Sequence, residues 1–592
     1  MKTLTKIAKA LKEQSSQEQR GSRRAGAVAC QIGMLCLLIH TTESPAAEPE
    51  RGVLKIHIRQ ADSGQATPAR LELRDGIAGR FVGAWRSLQG VEAQFYVAPG
   101  ALRIGGDCVD HPEPVPTRTL DLTLASLAPS INNWYTRTLE FYSPGESSIE
   151  LPAGMYQLTA YKGCEYRVAT HRAVVEAGQT TELFVDLSRW VNMPAEGWYG
   201  SDGHLHIARP IAELNPYISR WMQAEDIHVA NLLQWGHSQH FHNAVQYAHG
   251  EDGVYQEGNY LLVAGQENPR SNILGHTVIL GARSPVHVPE LYLVYRLAFE
   301  EAHRQGGLSG YAHFAHRNNA PRGIAIDLPH DVVDFIEVLQ FGEAGYSIWY
   351  DVLNLGYRLT PTAGTDYPCS RIVPGSERFY TRVEGPLTYK KWLESVAEGR
   401  TFVTNGPILH FKVDGKNMGD EVRLDAPREV DIDGSVRFDN SRDQVTTLEV
   451  IENGTVIRTF AATPGASQIR GRFRHPVTAS GWLALRASGR KVAEFGFTGE
   501  GRGASAAHTA AIYVTVKGTP ALRDSAIAKA VAARWLERLK ALESTLADGA
   551  VDQLLSERAA LDAVPKDVLL KNRPALLESI RTASRRFEAQ AR

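Results

Sequence analysis

The segment GWYGSDGHLHI (197–207) sets His204 and His206 two residues apart in a strand-like run. Side chains alternate across a strand, so both imidazoles point to one face. Two convergent imidazoles at a strand end bind a transition metal once carboxylates join them. Alone, they read equally as a solvated pair at a strand edge. Residues of ligand type recur at later strand ends: Glu267 closes YLLVAGQE, His276 opens the next apolar run, His313 lies inside SGYAHFAH beside His316, and Asp366 ends PTAGTD. Of the 20 histidines, 13 fall between His204 and His330. Among them His228, His237, His240, His242, His249, His287, His303 and His330 have no spacing that defines a site and read as surface or hydrogen-bonded residues. A divalent ion held by such nitrogen and oxygen ligands lowers the pKa of a bound water from about 15.7 to about 7, which makes a hydroxide available at neutral pH.

Those residues can act together only if their strand ends converge. After Trp190, the runs HVANLL (228–233), YLLVAG (260–265), HTVILG (276–281), SGYAHF (309–314) and DFIEVLQF (334–341) alternate with helical patterns. In PELYLVYRLAFEEAHRQGG, Leu291, Tyr295, Ala298 and Ala302 share a face, and Gly306-Gly307 ends the helix. Alternating strands and helices imply a parallel sheet or barrel, which gathers strand C-termini on one rim. The flanks have a different texture. Residues 53–187 carry short period-2 runs expected to form two small β modules joined near 125–135, and a second β region runs from 406 to 517 with an Asn453-Gly454 hairpin turn. Thr519-Pro520 then opens a helix with Ile527, Val531, Trp535, Leu539, Leu542 and Leu546 on one stripe. The expected organisation is an export signal over 1–46, a β-rich region over 47–190, the site-bearing region over 191–405, a β-sandwich over 406–518 and a helical segment over 519–592.

Composition narrows the partners. With 592 residues, 43% hydrophobic, 22% charged and Lys+Arg 64 against Asp+Glu 66, the chain is an ordinary globular one. No basic field exists to hold a phosphate backbone, so nucleic acid is excluded as a general partner. Basic residues from Lys2 to Arg24 precede an apolar run, Ala25 to Ile39, interrupted by Gln31, and the small residues Ser44-Pro45-Ala46. That run is short of the roughly 18–20 residues a membrane-spanning helix needs. The reading is a cleaved signal and a periplasmic or extracellular protein with no stable membrane span after processing. Cleavage leaves Cys108, Cys164 and Cys369, too few for a disulfide framework. The chain has no G-x-S-x-G elbow, no phosphate-binding G-x-x-x-x-G-K loop and no H-E-x-x-H, and GEGRG (499–503) reads as a turn.

Taken in order, His204-x-His206, Glu267 with His276 in GQENPRSNILGHTVIL, His313, and Asp366 in GTD resemble the PHP metallohydrolases. The stretches AEDIHVA (224–230), WLESVAEGRTFVTNGPIL (392–409) and AHTAAIYVTV (507–516) are similar to the carbaryl-hydrolase-like branch, the CehA/McbA family. The resemblance covers about 190–517 and implies a distorted seven-stranded (β/α) barrel, with hydrolysis of an ester, phosphoester or carbamate by metal-activated water. It carries over His204, His206, Glu267, His276, His313 and Asp366 as metal ligands, Glu267 as a candidate bridge and Asp366 as a proton acceptor. Gln234-Trp235 and Asp366-Tyr367-Pro368 stand where the family has Asp-His and Asp-x-His, so one or two divalent ions (Zn, Mn or Fe) are expected rather than three. Arg270 and Arg317 are candidates to orient a small-molecule or glycan-linked substrate, and each also reads as a surface salt bridge. Glu337 is a candidate to support a ligand from behind. A reading of another class is an exported glycan- or small-ligand-binding protein that keeps the barrel without catalysis.

Overall fold

Five helices and a run of strands between Trp198 and Thr404 bring the candidate residues together. The computed structural model describes residues 50–76, 88–89, 94–97, 118–121, 140–236, 238, 241–314, 320–367, 373–492, 504–519, 525–547, 550–556 and 564–592. The export segment, the expected junction near 125–135, His237 and Arg317 lie outside the described residues.

Strands β1 (Trp198–Leu205), β2 (Val229–Gly236) and β3 (Tyr260–Glu267) pair in parallel. Strand β4 (Gly275–Leu280) runs antiparallel to β3 and to β5 (Leu308–Tyr311), after which β5, β6 (Phe335–Gln340) and β7 (Thr360–Ala363) are again parallel. Pairing then returns to β1. Leu205 bridges Tyr367 in parallel, the His206 N–H donates to the Tyr367 carbonyl at 2.7 Å, and the Asp366 N–H donates to the His204 carbonyl at 2.9 Å. Helices α1 (Asn215–Ala224), α2 (Tyr295–Arg304), α3 (Ala320–Asp327) and α4 (Tyr346–Asn354) intervene between strands. Strand β8 (Arg378–Arg382) pairs with β1, helix α5 (Tyr389–Ala397) follows, and β9 (Thr401–Thr404) leads into the C-terminal sheet.

Every residue of β1 and β2 is buried, as is all of β3 after Tyr260. Strands covered on both faces read as continuous apolar runs, which is why HVANLL and YLLVAG lack alternation. Helix α2 buries Tyr295, Ala298, Phe299 and Ala302, and Gly306 ends it at φ 85°. Leu291 stands in a separate turn before it, since the helix begins at Tyr295. Helices α6 (Ala526–Ala547) and α7 (Lys566–Ala591) join the same core through Trp535, Leu542, Leu576 and Phe587. The buried apolar stripe of α6 starts at Ala528; Ile527, expected on it, is 43% exposed.

The flanks are β-rich, as expected. Strands Arg51–Gln60, Glu146–Pro152 and Thr180–Leu187 share one sheet, while Ala69–Asp75, Glu140–Ser143, Gly154–Tyr161 and Ala169–Val175 share another. Each sheet takes strands from both sides of 125–135, and one core containing Ile56, Leu71, Ile149 and Leu158 lies between them. The C-terminal β region has its own core around Phe411, Ile432, Leu448 and Leu485. Its hairpin turn has both Asn453 (φ 51°) and Gly454 (φ 88°) left-handed, the requirement of a two-residue turn matched to strand twist. Among the described residues no helix is long and apolar enough to cross a membrane.

Candidate metal centre

Four parallel strands end on one rim, and β4, which runs the other way, brings its beginning there. His204 is next to last in β1, His206 follows it, Glu267 is last in β3, and His276 is second in antiparallel β4. His313 lies two residues past β5 and Asp366 three past β7. Both adopt positive φ, 54° and 53°, an uncommon conformation for residues with a Cβ. The close approach of β1 and β7 depends on two glycines. A Cβ on Gly364 would meet the His204 Cβ and N at 2.6 Å, and one on Gly203 would meet the Ala363 carbonyl at 2.8 Å.

Ligand atoms converge in two overlapping groups, His204 with Glu267 and His313, and His204 with His206 and Asp366. His204 and His206 Nε2 lie 3.2 Å apart. Asp366 Oδ1 is 3.0 Å from His206 Nε2 and 3.4 Å from His204 Nε2, while Glu267 Oε2 is 3.4 Å from His206 Nε2. His313 Nε2 reaches Glu267 Oε1 at 3.2 Å. His204 and Glu267 are 0% and 1% exposed, so these groups are shielded from bulk solvent.

The outer ring nitrogens decide the proton inventory. His204 Nδ1 donates to the Glu337 carboxylate at 3.1 Å, His206 Nδ1 to the Leu233 carbonyl at 3.0 Å, and His313 Nδ1 to Gln340 Oε1. Each partner accepts only, so in the neutral ring each Nε2 is a bare lone pair. With the rings neutral, three lone pairs therefore face two carboxylates in a buried space. That donor set fits a cation, and imidazole with carboxylate suits Zn, Mn or Fe. Without a cation the site takes up protons instead. Burial opposes the charged imidazole, yet the Glu337 and Asp366 carboxylates hold His204 well above its ordinary pKa, and Asp366 and Glu267 raise His206. Burial acts to raise the Glu267 carboxyl, but Arg270 and His276 carry it well below the usual range; His204 and His313 lower Asp366 against the same cost.

His276 enters through Glu267, with Nδ1 2.6 Å from Oε1, and belongs to neither group above. Arg270 donates to Glu267 Oε2 at 2.8 Å and stacks over the Trp235 ring at 4.5 Å. Trp235 in turn lies edge-on to His206, centroids 6.0 Å apart, so the departure at Gln234-Trp235 forms a wall of the cluster. Gln234 points toward His249, with 3.4 Å between Oε1 and Nε2. His303, read as a surface or hydrogen-bonded residue, is paired with Asp334 at 2.7 Å.

Sequence reasoning missed Gln340 and Asp202. Gln340 ends a wholly buried strand, FIEVLQ, in which Glu337 is the other polar residue, and that pair is the signal that could have found it. Asp202 accepts from the His204 N–H at 3.0 Å, the Thr365 N–H and hydroxyl at 3.1 and 2.7 Å, and the Gly375 N–H at 2.8 Å. It ties β1 to the loop that carries Asp366. Burial pushes its carboxyl up to about 6 despite those bonds.

No family model matches the chain, and no curated protein matches it. Among solved structures, the minor pilin GBS52 of Streptococcus agalactiae is similar at 13% identity over 24% of this chain and 47% of that chain, with a TM-score of 0.13. An engineered protein is similar at 12% identity over 51% of each chain, also with a TM-score of 0.13. The chain thus spans about half the length of each, and likenesses this distant carry no argument about fold or function.

Proposed function

We propose that this chain is an exported metal-dependent hydrolase of the PHP type, which sets a water on an ester, phosphoester or carbamate of a small-molecule or glycan-linked substrate. One observation carries the reading: three imidazole nitrogens and two carboxylates meet, buried, at the ends of separate strands. The return of strand pairing from Tyr367 to Leu205 supports a distorted (β/α) barrel as the frame. A divalent ion bound there would act as a Lewis acid and lower the pKa of its water. His204 Nε2 has one lone pair, so it can serve only one of the two overlapping groups at a time. His204, His206 and Asp366 would hold one ion, and a second would rest on Glu267 and His313, with His276 supporting Glu267 from outside the group, which is why one or two ions are proposed.

The chain's own residues then have separable tasks. Glu337, Leu233 and Gln340 fix the tautomers of the three histidines, so that Nε2 faces inward in each. Asp366 takes the proton that the attacking water gives up and returns it to the leaving oxygen or nitrogen. Arg270, held by Glu267 and the Trp235 face, orients an anionic or carbonyl-bearing substrate at the rim.

Trp235 and Arg270 also favour the second reading, an exported protein that binds a glycan or small ligand without turnover, since an indole with a stacked guanidinium is a good ligand platform. A panel of model esters, phosphoesters and carbamates separates the two. The hydrolase reading expects turnover that a chelator abolishes and added Zn or Mn restores. Absence of turnover across the panel at full metal loading would favour the binding protein.

A further inference from the structure

His313 is held from the side away from Glu267 by the end of β6. Gln340 accepts from its Nδ1, and the next residue, Phe341, stacks on its ring with centroids 5.2 Å apart and 23° between planes. Phe341 and Gly342 are both left-handed, at φ 57° and 73°. They are the central pair of a two-residue hairpin turn in which Gln340 and Leu339 of β6 pair with Glu343 and Ala344, and such a turn needs both positions left-handed. The Glu377 carboxyl packs against this turn, with Oε1 accepting from the Gly342 N–H and a further bond from the Phe341 backbone.

Glu377 is an expensive residue to keep there. It is 2% exposed, its Oε2 has no hydrogen-bond partner among the described residues, and burial pushes its pKa up to about 8 against the pull of the backbone N–H groups. A buried carboxyl with half its acceptors unused destabilises the fold unless what it holds matters. What it holds is the turn on which Phe341 rests. The same short segment reaches the other side of the cluster, where the Gly375 N–H donates to Asp202, the acceptor of the His204 N–H.

We propose that Glu377 is a positioning residue which, by bonding the backbone of the Phe341-Gly342 hairpin turn, fixes the His313 ring so that Nε2 stays aimed at Glu267 and Asp366. This inference rests on the metal-centre reading above. The test is titration of the full mature protein with Co2+, followed by its visible absorption bands, which report ligand geometry, and by chelator competition for affinity. Glu377→Ala and Phe341→Ala are each expected to weaken Co2+ binding about 10–100-fold, the usual effect of losing an outer partner of a ligand, and to alter the bands. Glu377→Gln, which keeps Oε1 as acceptor, is expected to recover most of the affinity. Leu485→Ala, in the separate C-terminal core, should lower the melting temperature and leave the bands unchanged. Should Glu377→Ala fail to fold, Phe341→Ala decides alone. Wild-type affinity and spectrum in Phe341→Ala, or the same loss in Leu485→Ala at equal destabilisation, would overturn the positioning role and leave the metal centre standing. A wild-type protein that gives no Co2+ bands at all would overturn both.

Discussion

His204 and Asp366 face the same cluster, yet replacing them should fail in different ways. His204→Ala removes the one nitrogen common to both groups of ligand atoms and leaves the Glu337 carboxylate buried with one partner fewer. Metal content and activity should fall together. Asp366→Asn keeps the shape and one oxygen ligand but loses the proton acceptor, so it should largely keep metal while the rate drops about 10²–10⁴-fold, the usual share of general acid–base catalysis. Elemental analysis run beside single-substrate kinetics separates the outcomes, and equal metal loss in the two variants would remove the proton role from Asp366. The ligand-type residues were legible in the sequence because histidine and carboxylate are rare at the ends of apolar runs. Asp202 and Glu377 were not, because their task is to accept backbone N–H groups, and which N–H comes near depends on loops that only the fold brings together.

Strand direction explains why residues spread from His204 to Asp366 share one rim: parallel strands deliver their ends, and one antiparallel strand delivers its start. The alternation of strand and helix was readable from hydrophobic period, but the reversal of β4 was not, because a buried strand has the same composition in either direction. The pairing of Arg51–Gln60 with Glu146–Pro152 was equally hidden, since period-2 runs fix which face is buried and not which distant strand is the partner. Helix α3 offers a test at this scale. Its last residue, Asp327, accepts from the Tyr311 hydroxyl at 2.6 Å, and burial pushes its carboxyl from 3.8 up to about 7. A carboxyl whose folded pKa is raised stabilises the fold in its protonated form. That contribution is complete below pH 3.8 and is lost as the pH rises toward 7. Asp327→Asn retains an acceptor for Tyr311 and cannot ionise, so the gap in melting temperature between wild type and variant should move in favour of the variant across this interval. A gap that stays constant with pH would show that Asp327 does not titrate there.

At the scale of the whole molecule, buried ion pairs tie the N-terminal β region to the residues just before β2. Asp226, just before β2, binds Arg189 at 3.1 Å, and Arg189 also binds Glu165 at 2.6 Å, while Arg70 meets Glu225 at 2.8 Å. Buried pairs of this kind gain little net stability because desolvation offsets their attraction. The core of the β region nonetheless runs on through Trp221 of α1 to Leu205, Ile207 and Tyr367, which flank His204, His206 and Asp366 on the candidate ligand rim. The account therefore stands or falls on what that rim binds. The most direct measurement is a crystal structure of the mature protein grown with Zn or Mn, with anomalous differences collected at the absorption edge of the metal. The account predicts an anomalous peak about 2.0–2.2 Å from His204 Nε2 and His206 Nε2, with Asp366 or Glu267 completing the ligands. A cluster with no anomalous peak in metal-saturated crystals, its carboxylates and imidazoles bonded only to one another, would contradict it.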